Sequence, residues 1–121
     1  MNRLVCASAL LLVVPLLMGA TCTLTEVKPN PMGMPNTVDM KGGWSTNPGA
    51  EMALSIILHA NNFPTGATNQ STGQLIHSPK TWTGRAGVVA GTYSCYGELK
   101  FVRVPGDMLS VYSDNQVVSV N

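Results

Sequence analysis

The sequence predicts an all-β protein: a single antiparallel β-sandwich of about seven or eight strands, with a small β-barrel as the alternative. Three observations lead there. Glu51–Ala60 and Thr92–Val104 alternate apolar and polar side chains with a period of two. Turn signals built from Pro, Gly, Asn and Asp recur about every 8–12 residues along the chain. No stretch after the first twenty residues carries a sustained helical period.

Those first twenty residues, 1–20, read as a signal peptide. Arg3 gives a short basic start, Leu4–Met18 carries no charge, and Gly19-Ala20 offers small residues for cleavage. Pro15 breaks the apolar run shortly before that site. The working part is then one domain, residues 21–121, long enough for one modest core. Its expected location is outside the cell or in the periplasm or cell envelope, with no membrane span once the leader is removed. Two alternatives use the same residues. An uncleaved N-terminal helix would anchor the chain, since the uncharged run reaches the lower end of the ~17–25 residues a span needs. A lipoprotein would be attached through Cys22, although Gly19, Ala20 and Thr21 fit the lipidation box poorly at both outer positions.

After the leader, Lys28, Lys41, Lys80, Arg85, Lys100 and Arg103 balance Glu26, Asp39, Glu51, Glu98, Asp107 and Asp114. No basic cluster remains, which excludes an electrostatic handle for nucleic acid. Cys6 leaves with the leader. The remaining pair, Cys22 and Cys95, is expected to form a disulfide, as even cysteine counts do in small exported domains. Such a bond would stabilise the fold by roughly 4 kcal/mol.

The elements follow in order. Thr21–Lys28 alternates Cys22, Leu24 and Glu26 against Thr23, Thr25 and Val27, an edge strand stopped by Pro29-Asn30-Pro31 because proline lacks the ladder donor. Met32–Asn36 is a loop broken by Gly and Pro. Thr37–Trp44 puts Val38, Met40 and Trp44 on one side and Asp39 and Lys41 on the other, before the Asn47-Pro48-Gly49 turn. In Glu51–Ala60, Met52, Leu54, Ile56, Leu58 and Ala60 share a face; a helix is the alternative, since Glu, Met, Ala and Leu favour one. Asn61–Gly73 is a polar loop with a short strand around Phe63. Gln74–His77 and Lys80–Thr83 are short strands split by Ser78-Pro79.

Thr92–Val104 places Tyr93, Cys95, Leu99 and Phe101 on one face and Ser94, Tyr96, Glu98 and Lys100 on the other. Gly97 marks a bulge or a tight bend in it. Pro105-Gly106-Asp107 is a turn, Met108–Ser113 a strand, Asp114-Asn115 a hairpin tip and Gln116–Val120 the last strand.

The segment Ala90-Gly91-Thr92-Tyr93-Ser94-Cys95 resembles the Gly-x-Tyr-x-Cys stretch of immunoglobulin-like domains. That likeness implies an immunoglobulin-like sandwich, with Tyr93 as a corner tyrosine whose hydroxyl is tied to nearby backbone. It also implies that Cys95 lies on the strand before the last hairpin. Cys22 at the start of the domain and Trp44 22 positions later depart from the family pattern. The likeness therefore informs architecture and not function.

Signals for chemistry are sparse. His59 and His77 are the only imidazoles, neither sits in a recognised metal or hydrolase spacing, and no Gly-x-Ser-x-Gly elbow occurs. His59 is expected at a strand end, partly exposed. A small hydrolase using His59 or His77 is the enzymatic alternative, and it needs one of them within ~3 Å of a serine or carboxylate in a pocket. No cofactor, metal or catalytic residue is expected. Trp44, Trp82, Tyr96 and Tyr112 are the candidate ligand contacts. The tryptophans read as core anchors, and Tyr96 and Tyr112, on polar faces, as the better contacts. Asn69-Gln70-Ser71 fits the N-glycosylation pattern of a eukaryotic secretory route. The resulting expectation is an exported, non-catalytic module with a binding or structural role, its partner a carbohydrate or another envelope protein. A structural role would use the sheet edges Thr21–Lys28 or Gln116–Val120.

Overall fold

Period-two patterning resolves into nine strands in the computed structural model, which describes residues 19–29 and 36–121. The leader and the loop expected at Met32–Asn36 thus lie almost wholly outside the described residues. The strands are β1 (Thr21–Pro29), β2 (Thr37–Ser45), β3 (Glu51–Asn62), β4 (Thr68–Thr72), β5 (Gln74–His77), β6 (Lys80–Gly87), β7 (Gly91–Arg103), β8 (Asp107–Tyr112) and β9 (Gln116–Val120). They form a four-stranded sheet, order β1-β2-β6-β5, and a five-stranded sheet, order β4-β3-β7-β8 with β9 also paired to β7. All pairings are antiparallel. The fold is an all-β sandwich; neither sheet closes on itself, which removes the barrel alternative.

Alternation places most of the core as expected. Val38, Met40 and Trp44 of β2 and Tyr93, Cys95, Leu99 and Phe101 of β7 are buried between the sheets. The segment from Glu51 is a strand, not a helix, but its face changes partway. A bulge between Ala53 and Ser55 inserts Leu54 into β3, so Ile56, Leu58 and Ala60 point inward while Met52 and Leu54 face solvent. A second bulge, at Thr25 in β1, turns Val27 toward the core. Gly97, expected as a bulge or a tight bend, makes no bulge and stays in regular register opposite Leu58.

Two further expectations are corrected. The short strand after β3 is Thr68–Thr72, and Phe63 lies in the turn before it. Asp114-Asn115 is no hairpin tip. β8 pairs with Glu98–Arg103 of β7, whereas β9 pairs with Gly91–Cys95 of the same strand. At 13 residues β7 outruns either short partner, so two strands in series line its edge. Ser113 bridges the gap: its N–H donates to Gly97 O (2.9 Å) and its Oγ accepts from Gly97 N (2.8 Å).

The interior centres on Trp82, whose side chain is fully buried. A Cβ on Gly97 would lie 2.8 Å from its ring, and one on Gly42 would lie 2.9 Å from the ring and 1.8 Å from Thr23 O. Only glycine leaves room for the indole at these two points. Its Nε1 donates to Thr23 O (3.0 Å) and Gly43 O (3.2 Å), satisfying a polar group that burial would otherwise penalise. Trp44 does the same in the four-stranded sheet, donating to Ile76 O (3.1 Å) and Thr81 O (3.0 Å).

Cys22 and Cys95 are both buried and both free thiols, so the expected disulfide is not formed in this structure. Cys22 Sγ points at Gly97 O, 3.8 Å away. Cys95 lies one inward-facing position further along β7, a displacement of roughly 7 Å. Burial pushes each thiol up to about 11.

Three outcomes follow from this packing. Gly97→Ala lowers stability in urea unfolding by ~1–3 kcal/mol, as overpacking does. Gly106→Ala, where nothing lies within 4 Å of the added Cβ, stays within ~0.5 kcal/mol of the parent. Cys22 and Cys95 react with a thiol reagent at pH 8 only after urea unfolds the chain, as time courses with and without denaturant will read.

Candidate functional site

The outward faces of the two sheets differ in kind. On the four-stranded sheet, cross-strand rows run Lys28–Asp39–Arg85 and Glu26–Lys41–Thr83. Arg85 grips Asp39 with two nitrogens (2.6 and 3.1 Å), and Lys41 and Lys28 approach Glu26 at 3.0 and 3.4 Å. A shallow depression of about 430 Å³ lies over these charges. Opposite charges meet across this face, as on a solvated sheet surface. Among the described residues, no large exposed apolar side chain belongs to β1, β2, β5 or β6.

The five-stranded sheet is the reverse. Met52 (62% exposed), Leu54, Met108, Tyr112 (56% exposed) and Val117 all belong to its strands. Met52, Val102 and Met108 line up as one cross-strand row, and Tyr112 stands opposite Glu98.

Under the tyrosines lies a polar web. His59 and Glu98 are only 6% and 7% exposed although their side chains share the face turned away from the core. His59 Nε2 donates to Glu98 Oε1 (2.8 Å), and Gln70 Nε2 donates to His59 Nδ1 (3.3 Å). Glu98 Oε2 accepts from Ser110 Oγ (2.7 Å) and Tyr112 OH (3.4 Å), with Lys100 Nζ at 3.3 Å. Tyr96 stacks on the His59 ring, centroids 4.5 Å apart and planes within 10°, and meets Tyr112 edge-on at 5.9 Å. Burial alone would raise the Glu98 pKa; the hydrogen bonds from Ser110, His59 and Lys100 and the Lys100 charge together outweigh it and bring the group to about 2.

Of the four candidate aromatics, Tyr96 and Tyr112 are brought together here, whereas Trp44 and Trp82 are inside the sandwich. The tyrosines stand at 66° to each other and make no flat platform. His59, expected at a strand end and partly exposed, is buried in the interior of β3. It does stand 2.8 Å from a carboxylate, yet it lines neither the shallow depression over the charged face nor the cleft at the far end of the sandwich. Ser110 is turned to Glu98 instead of the imidazole, and both ring nitrogens already have partners. His77 ends β5, exposed, with Trp44 edge-on at 5.2 Å. Among the described residues no group of three or more His, Cys, Asp or Glu is arranged to hold a metal ion.

No protein-family model matches the chain, and comparison with curated proteins and with solved structures likewise returns no match.

Because the folded-state pKa of Glu98 lies below its ordinary 4.5, its contribution is fully present above about pH 4.5 and is lost as pH falls toward 2. Urea midpoints taken from pH 5 down to pH 2.5 therefore fall more for the parent than for Glu98→Gln. The difference approaches ~3 kcal/mol as an upper limit.

Proposed function

We propose that the chain is an exported, non-catalytic β-sandwich module that docks a protein partner through the outer face of its five-stranded sheet. The observation that carries this reading is the asymmetry of the two outer faces. One holds the charged rows, and the other holds Met52, Leu54, Met108, Tyr112 and Val117. Exposed Met and Tyr side chains on one face are what protein interfaces select, Met for adaptable packing and Tyr as an anchor. The web beneath Tyr112 holds the anchor before a partner arrives, which lowers the ordering cost of binding. Edge-on tyrosines offer a sugar ring little flat surface, which favours the envelope-protein partner over a carbohydrate on this face.

Export rests on residues 1–20. No helix among the described residues is long and apolar enough to cross a membrane. Cys22 occupies a core position beside Trp82 and Gly97, where a lipid thioether has no room, and this supports the unlipidated form. The Tyr93 hydroxyl donates to Val89 O four residues upstream (2.7 Å), which supports the immunoglobulin-like reading of Gly91–Cys95. Edge pairing is served less well. β1 carries a bulge, and Gln116 Nε2 donates to Leu24 O (3.1 Å), fastening the two candidate edges to each other.

Photo-crosslinking side chains placed at Met52, Met108 and Lys41 of the exported chain test the proposal. A discrete protein adduct forms from positions 52 and 108 and not from 41, and Tyr112→Ala lowers its yield about tenfold. No adduct, or one equally strong from position 41, would overturn it.

A further inference from the structure

The end of the sandwich formed by the 63–67 turn and the 88–90 link borders an open cleft of about 750 Å³, away from the docking face. Among the described residues no Asp, Glu, Lys, Arg or His lines it. Asn36, Asn62 and Asn69 line it beside an apolar wall of Pro64, Val88 and Val89.

These walls are held in place by the backbone. Asn62 N donates to Ala67 O (2.8 Å) and Gly66 N to Asn62 O (2.9 Å), which closes the turn. Val88 N donates to Asn36 O (3.0 Å), and the Tyr93 hydroxyl holds Val89 O. Asn62 is 9% exposed, and its Oδ1 accepts from both Thr65 N (3.1 Å) and Thr65 Oγ1 (3.0 Å). Its Nδ2 has no hydrogen-bond partner among the described residues. A Cβ on Gly91 would lie 2.8 Å from that nitrogen, so glycine leaves the amide its place. That nitrogen is open to the cleft and free to donate into it.

We infer that this cleft is a binding site for a small, neutral, hydroxyl-rich ligand of the sugar class. Among the described residues an anion would find no cation here and a cation no carboxylate. Carboxamides offer a donor and an acceptor together, which matches hydroxyls that do both. The Pro64, Val88 and Val89 wall supplies the apolar contact that the C–H face of a sugar ring needs. Asn69 is half-buried in β4 and lines the cleft, a poor setting for the glycan that its sequon would otherwise accept. The inference is independent of the docking face.

The test is amide NMR of the labelled exported chain titrated with glucose, galactose, mannose and N-acetylglucosamine to ~10 mM. Expected are shifts confined to Asn62, Thr65, Asn69 and residues 87–91, the Asn62 side-chain amide among them, with at least one sugar. Asn69→Ala and Gly91→Ala each weaken that sugar roughly three- to tenfold, with thermal unfolding showing the fold retained, and Tyr112→Ala leaves it unchanged. Soluble oligomers of the same sugar separate the two sources of this chemistry: a site for free sugar binds the monomer only, and one for a glycan end binds both. No shifts with any of the sugars, shifts elsewhere, or a folded Asn69→Ala that titrates like the parent would overturn the inference. So would glucuronate binding more tightly than glucose.

Discussion

Trp82 is the side chain around which the two sheets are assembled. Its indole fits only because Gly42 and Gly97 present bare backbone from opposite sheets. Its N–H is satisfied only because Thr23 and Gly43 turn carbonyls toward it. The ring thereby fixes how β1, β2 and β7 sit around β6. Gly97 cannot move without disturbing the ring, so its neighbour Glu98 is fixed in direction as well, outward and beneath Tyr112. The geometry of the outer face is thus set from inside the core.

Much of the strand layout is legible in the residues because a period of two is a strong signal. Val38, Met40 and Trp44, and likewise Tyr93, Cys95, Leu99 and Phe101, alternate without interruption and are all buried. The bulges are not legible. Neither Leu54 nor Thr25 is a Gly or Pro, and inserting either residue simply swaps faces from there onward. Met52 therefore reads as core and lies outside. The pairing of β9 with β7 was hidden for another reason: a short polar gap between two strands looks like a hairpin tip whether the chain reverses or carries on. Counting cysteines suggests a bond, whereas across the sandwich Cys22 faces Gly97 and both thiols are free.

The candidate site was half visible. Tyr96 and Tyr112 stand out as large aromatics on polar faces, and the structure brings them together. What joins them could not be read, since His59 and Glu98 are 39 positions apart and meet only through the β3–β7 ladder. A buried carboxylate with this many donors is costly to assemble and stiff once assembled. That stiffness is the physical link between an inward-looking polar web and an outward-looking apolar surface. The opposite sheet shows the contrast, for its charged pairs are exposed and each involves flexible side chains.

The division of the β7 edge between β8 and β9 has a mechanical consequence. A single long partner would have to come away along its whole length. With the seam at residues 113–115, the five residues of β9 can fray as a unit while β8 keeps Tyr112 clamped to Glu98. Opening β9 costs its own anchors, Val120 in the core and Gln116 on Leu24, and leaves the tyrosine surface in place.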